Sequence, residues 1–247
     1  MASPEELARL RGGADAWNSW RKAHPEEPLL FFSDDFSGAD LTGRDLAGAE
    51  FLSCDFSSAK LATANLTRAS LRECALEAAD LSGADLEGAE IVDCRAAGAS
   101  LENARARDAS FIRSDLTGAR LCGVDAVGGR FAGATLDRAD LSLACLAEAG
   151  FGAASLVGAV LRGADLENAL FEAANLAGAD LRDARAGGAS YRRANLTGAD
   201  LRGADLTSAR FDKAFLEGAR LDGAHTAGAN LGDSIDASLR DGAADEV

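Results

Sequence analysis

The sequence predicts an all-β solenoid, and three observations carry that prediction. Large apolar residues return at every fifth position from Phe36 to Leu231 without a break in frame. The residue two places before each of them is small, mostly Ala. Glycine concentrates two places after it. A helix repeats about every 3.6 residues and a strand about every 2, so neither alone produces a period of five. A chain that alternates a short extended step with a corner does.

Each position of the repeat has its own physical reason. Of 40 central positions, 35 hold Leu, Phe, Ile or Tyr, the exceptions being Ala96, Ala106, Ala126, Ala186 and Thr226. These side chains are expected to face inward, each contributing about 2 kcal/mol on burial. The position two before is Ala in 32 of 40 frames; Cys54, Cys74, Cys94, Ser114 and Gly129 are also small, whereas Asp34, Arg44 and Val124 are not. A small side chain there lets the backbone close its corner.

A 20-residue period lies over the first. Positions 31, 51, 71 and onward to 231 read Phe, Phe, Leu, Ile, Phe, Phe, Phe, Phe, Tyr, Phe, Leu, while the other central columns are mostly Leu. Four pentapeptides therefore make one coil, and one side of the solenoid keeps an aromatic ladder. Glycine fills 19 of the 40 positions two after the centre, but on the aromatic side only Gly133. Glycine suits the positive φ of a type II turn, so the aromatic side is expected to use a different turn. About ten coils at about 4.8 Å spacing give a rod about 48 Å long.

The segments Ala84-Asp85-Leu86, Ala164-Asp165-Leu166 and Ala204-Asp205-Leu206 carry the pattern Ala-(Asp/Asn)-Leu-x-x. Over about four-fifths of its length the chain resembles the pentapeptide-repeat family. The resemblance implies a right-handed quadrilateral β-helix. It also implies a partner, because family members include DNA mimics that protect type II topoisomerases from inhibitors. The function so implied is occupation of the DNA-binding saddle of DNA gyrase or topoisomerase IV, with antibiotic resistance or self-immunity as the outcome. Several such relatives carry loops that interrupt the coils; here the frame is unbroken, so any such activity must use the smooth rod.

The ends must cover the terminal coils. Residues 4–23 read as helical, and Trp17 and Trp20 are expected to plug the N-terminal end, giving a helical cap over 1–30. The β-helix is expected over 31–233. After Ser234, Ile235 and Leu239 are expected to lay one short helical turn over the last coil, followed from Asp241 by a polar tail, so that 234–247 forms a C-terminal cap and tail. Relatives that dimerise use a C-terminal apolar module, and this chain has no long one. Monomer and homodimer both stay open.

Composition narrows the function classes. Net charge is -15, with 40 acidic against 25 basic residues. Direct binding of nucleic acid over the whole surface is therefore not expected. The N-terminus lacks the apolar run of a secretory signal, and no membrane span is apparent. Five cysteines without a Cys-x-x-Cys pair fit a reduced, cytoplasmic setting.

No enzyme is expected. The two histidines, His24 and His225, lie far apart and read as surface residues. Cys54, Cys74 and Cys94 stack in one inward column, but three ligands in a line make no tetrahedral site; they read as packing residues. No cofactor and no metal are expected.

Charge is sorted by side. The side around Leu86 holds nine acids and four bases, and the side around Leu116 six acids and two bases. The aromatic side, from Glu50 to Lys213, holds seven bases and six acids. On the Leu86 side, Asp45, Asp85, Asp125, Asp165 and Asp205 recur every second coil. With Asp115 and Asp137 they form the candidate partner-binding set of a DNA mimic. The same spacing also relieves repulsion between stacked carboxylates. A duplex of this length carries roughly 28 charges, about three times the net charge of the coils. The rival reading is a protein-interaction scaffold of unassigned partner, binding through Arg192, Arg193, Arg210 and Lys213 on the aromatic side.

Overall fold

The computed structural model describes residues 4–234. Strands β1 (Leu30–Phe32), β2 (Glu50–Leu52), β3 (Ser70–Arg72) and β4 (Glu90–Val92) pair in parallel in that order. Their register is 20 residues: Phe31 faces Phe51, Phe51 faces Leu71, and Leu71 faces Ile91. Isolated parallel bridges continue the same offset at five-residue steps, from Asp35 with Asp55 to Asp205 with His225. The hydrogen bonds follow. The Asp55 amide donates back to the Asp34 carbonyl at 3.0 Å, and the next amide, Phe56, donates forward to Ala75 at 2.7 Å. Successive backbone amides thus bond opposite neighbours, and stacking consumes the polar backbone.

The bore is built as the repeat requires. The central Leu and Phe residues and the Ala residues before them are almost all buried from Phe36 to Leu216. Coil spacing forces the aromatic ladder into parallel stacks. Phe131 and Phe151 lie 4.8 Å apart at 6°, and Phe151 and Phe171 repeat that geometry. Gly129 is a fitted exception in the small column. A Cβ there would stand 2.9 Å from the Ala126 carbonyl and 3.1 Å from the Phe131 ring. Cys54, Cys74 and Cys94 are buried, and their thiols donate to main-chain carbonyls, Cys74 to Arg72 and Cys94 to Leu71, both at 3.3 Å. The Cys54 thiol pKa is pushed up, first by its hydrogen bond with Cys74 and then by burial.

The corners correct one expectation. Positive φ occurs two residues after the centre on every side, with or without glycine: Gly38 at 62°, Ser58 at 57°, Arg113 at 56°. Most corners close with a bond such as Ala39 N–H to Phe36 O at 3.0 Å. On the aromatic side this bond is missing only at the first four corners, after Phe31, Phe51, Leu71 and Ile91, which are also the four strands. From Phe111 onward it is present, as in Ala134 N–H to Phe131 O at 3.0 Å. The aromatic side therefore turns differently only in its first part. The open corners are those whose small position is Asp34, Cys54, Cys74 or Cys94 instead of Ala.

The expected helix over 4–23 is two helices, α1 (Pro4–Arg11) and α2 (Ala14–Ala23), broken at Gly12 and Gly13. Two consecutive glycines remove the side chains that favour helix continuation, and Gly13 is extended. Trp17 is fully buried and donates its indole N–H to the Asp45 carbonyl at 2.8 Å. Trp20 is only half-buried, under the Arg9 guanidinium 4.6 Å from its ring, so it plugs less than expected. Asn18 imitates a strand edge: it donates to the Gly43 carbonyl at 2.9 Å and accepts from the Asp45 amide at 2.8 Å. Arg44, large where Ala is the rule, is buried and donates to the carbonyls of Leu10, Gly12 and Thr42. Its neighbour is the helical segment instead of another coil, which explains the exception.

At the other end, Leu231–Asp233 forms a single 3-10 turn. Asn230 Oδ1 accepts the Phe211 amide at 2.5 Å, standing in for a carbonyl of the next coil. Ile235 and Leu239 lie outside the described residues.

Candidate interaction surfaces

The aspartates before the central residues have a local task. Asp85 Oδ1 accepts the Glu87 amide at 3.2 Å, Asp165 the Glu167 amide at 3.2 Å, and Asp205 the Thr207 amide at 3.0 Å. Asp115 does the same for Thr117 at 2.9 Å, and Asp45 for Ala47 at 3.3 Å. This is an Asx turn, in which a short acceptor bonds the backbone two residues on. Asn65, Asn175 and Asn195 make the same bond. The interchange of Asp and Asn at this position was the available signal, and reading the column by charge alone misses it.

Arginines cover part of the strip. Arg105 pairs with Asp85 at 3.0 Å and Glu87 at 3.5 Å, and Arg185 repeats this with Asp165 at 3.3 Å and Glu167 at 3.5 Å. Arg107 pairs with Asp125 at 2.7 Å. The guanidinium side chains of Arg105 and Arg185 are 63% and 65% exposed, against 30% and 28% for Asp85 and Asp165. A partner approaching this side meets cations before it meets these carboxylates.

The rest of the acidic set is dispersed. Asp45 lies half-buried against α2, where Asn65 also donates to its carboxylate at 2.9 Å. Asp137 accepts from the Ser155 hydroxyl at 2.5 Å and the Val157 amide at 3.0 Å. Hydrogen bonds from the Thr207 hydroxyl and then its amide hold the Asp205 carboxyl below its usual pKa. Asp115 and Asp137 face another side of the coil, so the seven residues do not converge.

On the Leu81 side, acids and bases interleave. Asp200 takes Arg202 at 2.7 Å, with Arg182 and Arg220 each at 3.9 Å, and its pKa falls to about 2, mainly through the Arg202 hydrogen bond. Across the rod, ion pairs of outward side chains mostly join residues 18 or 20 apart, as for Arg72 with Glu90 at 2.5 Å and Arg113 with Asp93 at 2.5 Å.

The four cations on the aromatic side do come together. Ser190 and Arg210 are bridge partners, and Arg192, Arg193 and Lys213 flank them. Asp212 is shared by Arg192 and Arg210, both at 3.6 Å. His24 and His225 are both exposed, and His24 stacks on Trp20 with ring centres 5.2 Å apart. Among the described residues no group of His, Cys, Asp or Glu is arranged to hold a metal ion. No helix among them is long and apolar enough to cross a membrane.

Comparison with known proteins places this geometry. The model of pentapeptide repeats matches in eight copies, with matched segments 35–72, 61–95, 89–125, 114–151, 154–190 and 189–225. The structure is similar to that of HetL, a pentapeptide repeat protein involved in heterocyst differentiation regulation from the cyanobacterium Nostoc sp. strain PCC 7120. Identity is 30%, TM-score 0.50, and the match covers 88% of this chain and 95% of HetL. A second similar structure is QnrB1, a plasmid-mediated fluoroquinolone resistance protein. It is 24% identical over 82% of this chain and 83% of that one, with a TM-score of 0.36. No curated protein sequence matches. The family model spans most of the chain with the same five-residue frame that builds the bore, so the chain belongs to the pentapeptide repeat family.

Proposed function

We propose that the chain is a non-enzymatic interaction rod: its coils are a rigid spacer, and its function lies in binding a protein partner along its outer sides. The observation that carries this reading is the separation of chemistry by direction. Apolar side chains fill the bore, while nearly all charged side chains of the coils lie outside, many of them in ion pairs between neighbouring coils. In the same reading, residues 1–30 cap the first coil, 31–233 form a rod of about ten coils, and 234–247 cover its far end. Trp17, Asn18 and Arg44 support the N-terminal cap, since each bonds main chain across that junction. The test is affinity purification with the full chain as bait. Retention of a discrete protein in near-equal amount is expected, and reversing outward charges on one side should release it. The absence of any stoichiometric partner for the wild-type chain overturns the reading.

A narrower reading, binding to a type II topoisomerase as a DNA mimic, is favoured by the net charge of -15 and by the rod shape. Asp45, Asp85, Asp125, Asp165, Asp205, Asp115 and Asp137 would be its contact set. The arginines over Asp85, Asp125 and Asp165 weigh against it. A DNA gyrase supercoiling assay with and without a fluoroquinolone decides. Inhibition or rescue that disappears on charge reversal at Asp85, Asp125 and Asp165 supports mimicry, and no effect of the wild-type chain removes it.

A further inference from the structure

On a chain that is acidic overall, one patch is cationic. Within two adjacent coils of the aromatic side stand Arg192, Arg193, Arg210 and Lys213, with Asp212 as their nearby acid. Asp212 lies 3.6 Å from Arg192 and from Arg210, beyond direct hydrogen-bond reach of both. Arg193 and Lys213 have no ion-pair partner among the described residues, although elsewhere on the rod arginines mostly find a carboxylate 18 or 20 residues away. The other nearby acid, Glu172, accepts the Ser190 hydroxyl at 2.6 Å. On both flanks the outward side chains of these coils are largely uncharged: Asn195 and Thr197 on one, Thr207 and Ser208 on the other.

The patch also has apolar relief. A shallow slot of about 250 Å³ is lined by Glu172, Ala173, Arg192 and Arg193. Leu170 is 46% exposed and Phe215 45% exposed. Leu170, Ser190 and Arg210 stand in one column by register, and Phe215 lies two residues beyond Lys213. Arginine beside exposed aromatic and aliphatic groups is the composition of a protein-binding centre. It is a poor track for nucleic acid. Two coils span only about 10 Å, and the largely uncharged flanks offer no further cations along which a phosphate backbone could continue.

We infer that this patch recognises an acidic polypeptide segment that carries apolar residues between its carboxylates. The inference rests on the interaction-rod reading and names the side and the partner's chemistry. Arg193 and Lys213 supply unneutralised charge for the carboxylates, and Leu170, Phe215 and the slot take the apolar side chains.

The test is a fluorescence anisotropy titration of the full chain against a labelled peptide of alternating Glu and Leu. A labelled single-stranded DNA 12-mer is titrated in parallel. Expected are peptide binding that weakens as salt rises, and affinity at least about tenfold lower for R193E/K213E. The control R95E/R120E, on other sides, should match wild type, and circular dichroism should be the same for all three chains. The inference is overturned if the wild-type chain ignores the peptide at low salt, if R193E/K213E binds as wild type does, or if the DNA binds more tightly than the peptide. A rod that retains a partner through another side while ignoring the peptide sinks the patch and leaves the interaction reading standing.

Discussion

Asp200 shows how one surface residue can matter to the coil. Its carboxylate is held by Arg202 and faces Arg182 and Arg220, which brings its pKa down to about 2. An unfolded aspartate titrates near about 3.9. The folded value is the lower one, so the stabilisation is fully present above about pH 4 and is lost as pH falls through about 2. Urea denaturation across that window should show stability dropping with acid, and D200N should flatten part of the slope. A wild-type slope unchanged by D200N would show that other carboxylates carry it. Asp165 separates charge from geometry. D165N keeps an acceptor for the Glu167 amide and should cost only the exposed pair with Arg185, a few tenths of a kcal/mol. D165A removes the acceptor and should cost about 1 kcal/mol in the same measurement.

A coil side, the next scale, is held by stacking. Phe151 lies 4.8 Å from both Phe131 and Phe171, so Phe151→Ala opens a gap in a closed ladder and should lower unfolding free energy by about 3–5 kcal/mol in urea titration. A cost below about 1 kcal/mol would mean that the ladder does not carry the core. This column was legible in the sequence because inward residues obey a strict period, and so were the inward thiols, through their size. The corners were legible only in part. Glycine marks where positive φ is easy, but the ladder bonds on both sides of each corner impose it on Ser58, Arg113 and Lys213 as well. The open corners coincide with Asp34, Cys54, Cys74 and Cys94, a signal present in the sequence and readable only once the turn bonds are known. Gly12 and Gly13 carried a signal for the helix break that the expectation of one helical stretch over 4–23 passed over.

Across the whole molecule, counting charge by side was legible and the pairing was not. Sequence placed Asp85, Asp125 and Asp165 on one side, but whether Arg105, Arg107 and Arg185 reach them depends on side-chain paths between coils. Those paths convert much of the acidic strip into a scaffold of Asx turns and covered carboxylates. Among the described residues Arg193 and Lys213, like Lys60, Arg68, Arg130 and Arg138, have no ion-pair partner, but only Arg193 and Lys213 stand together with two further cations in adjacent coils. On the proposal made above the rod divides its labour: acidic columns shape the coil, and recognition is assigned to the patch at 190–213. One measurement tests this division most directly, the anisotropy titration of the Glu–Leu peptide against D85N/D125N/D165N alongside R193E/K213E. The neutralised acidic column should bind at least as tightly as wild type while the reversed patch loses binding. Lost binding in the column variant with retained binding in the patch variant would contradict that division.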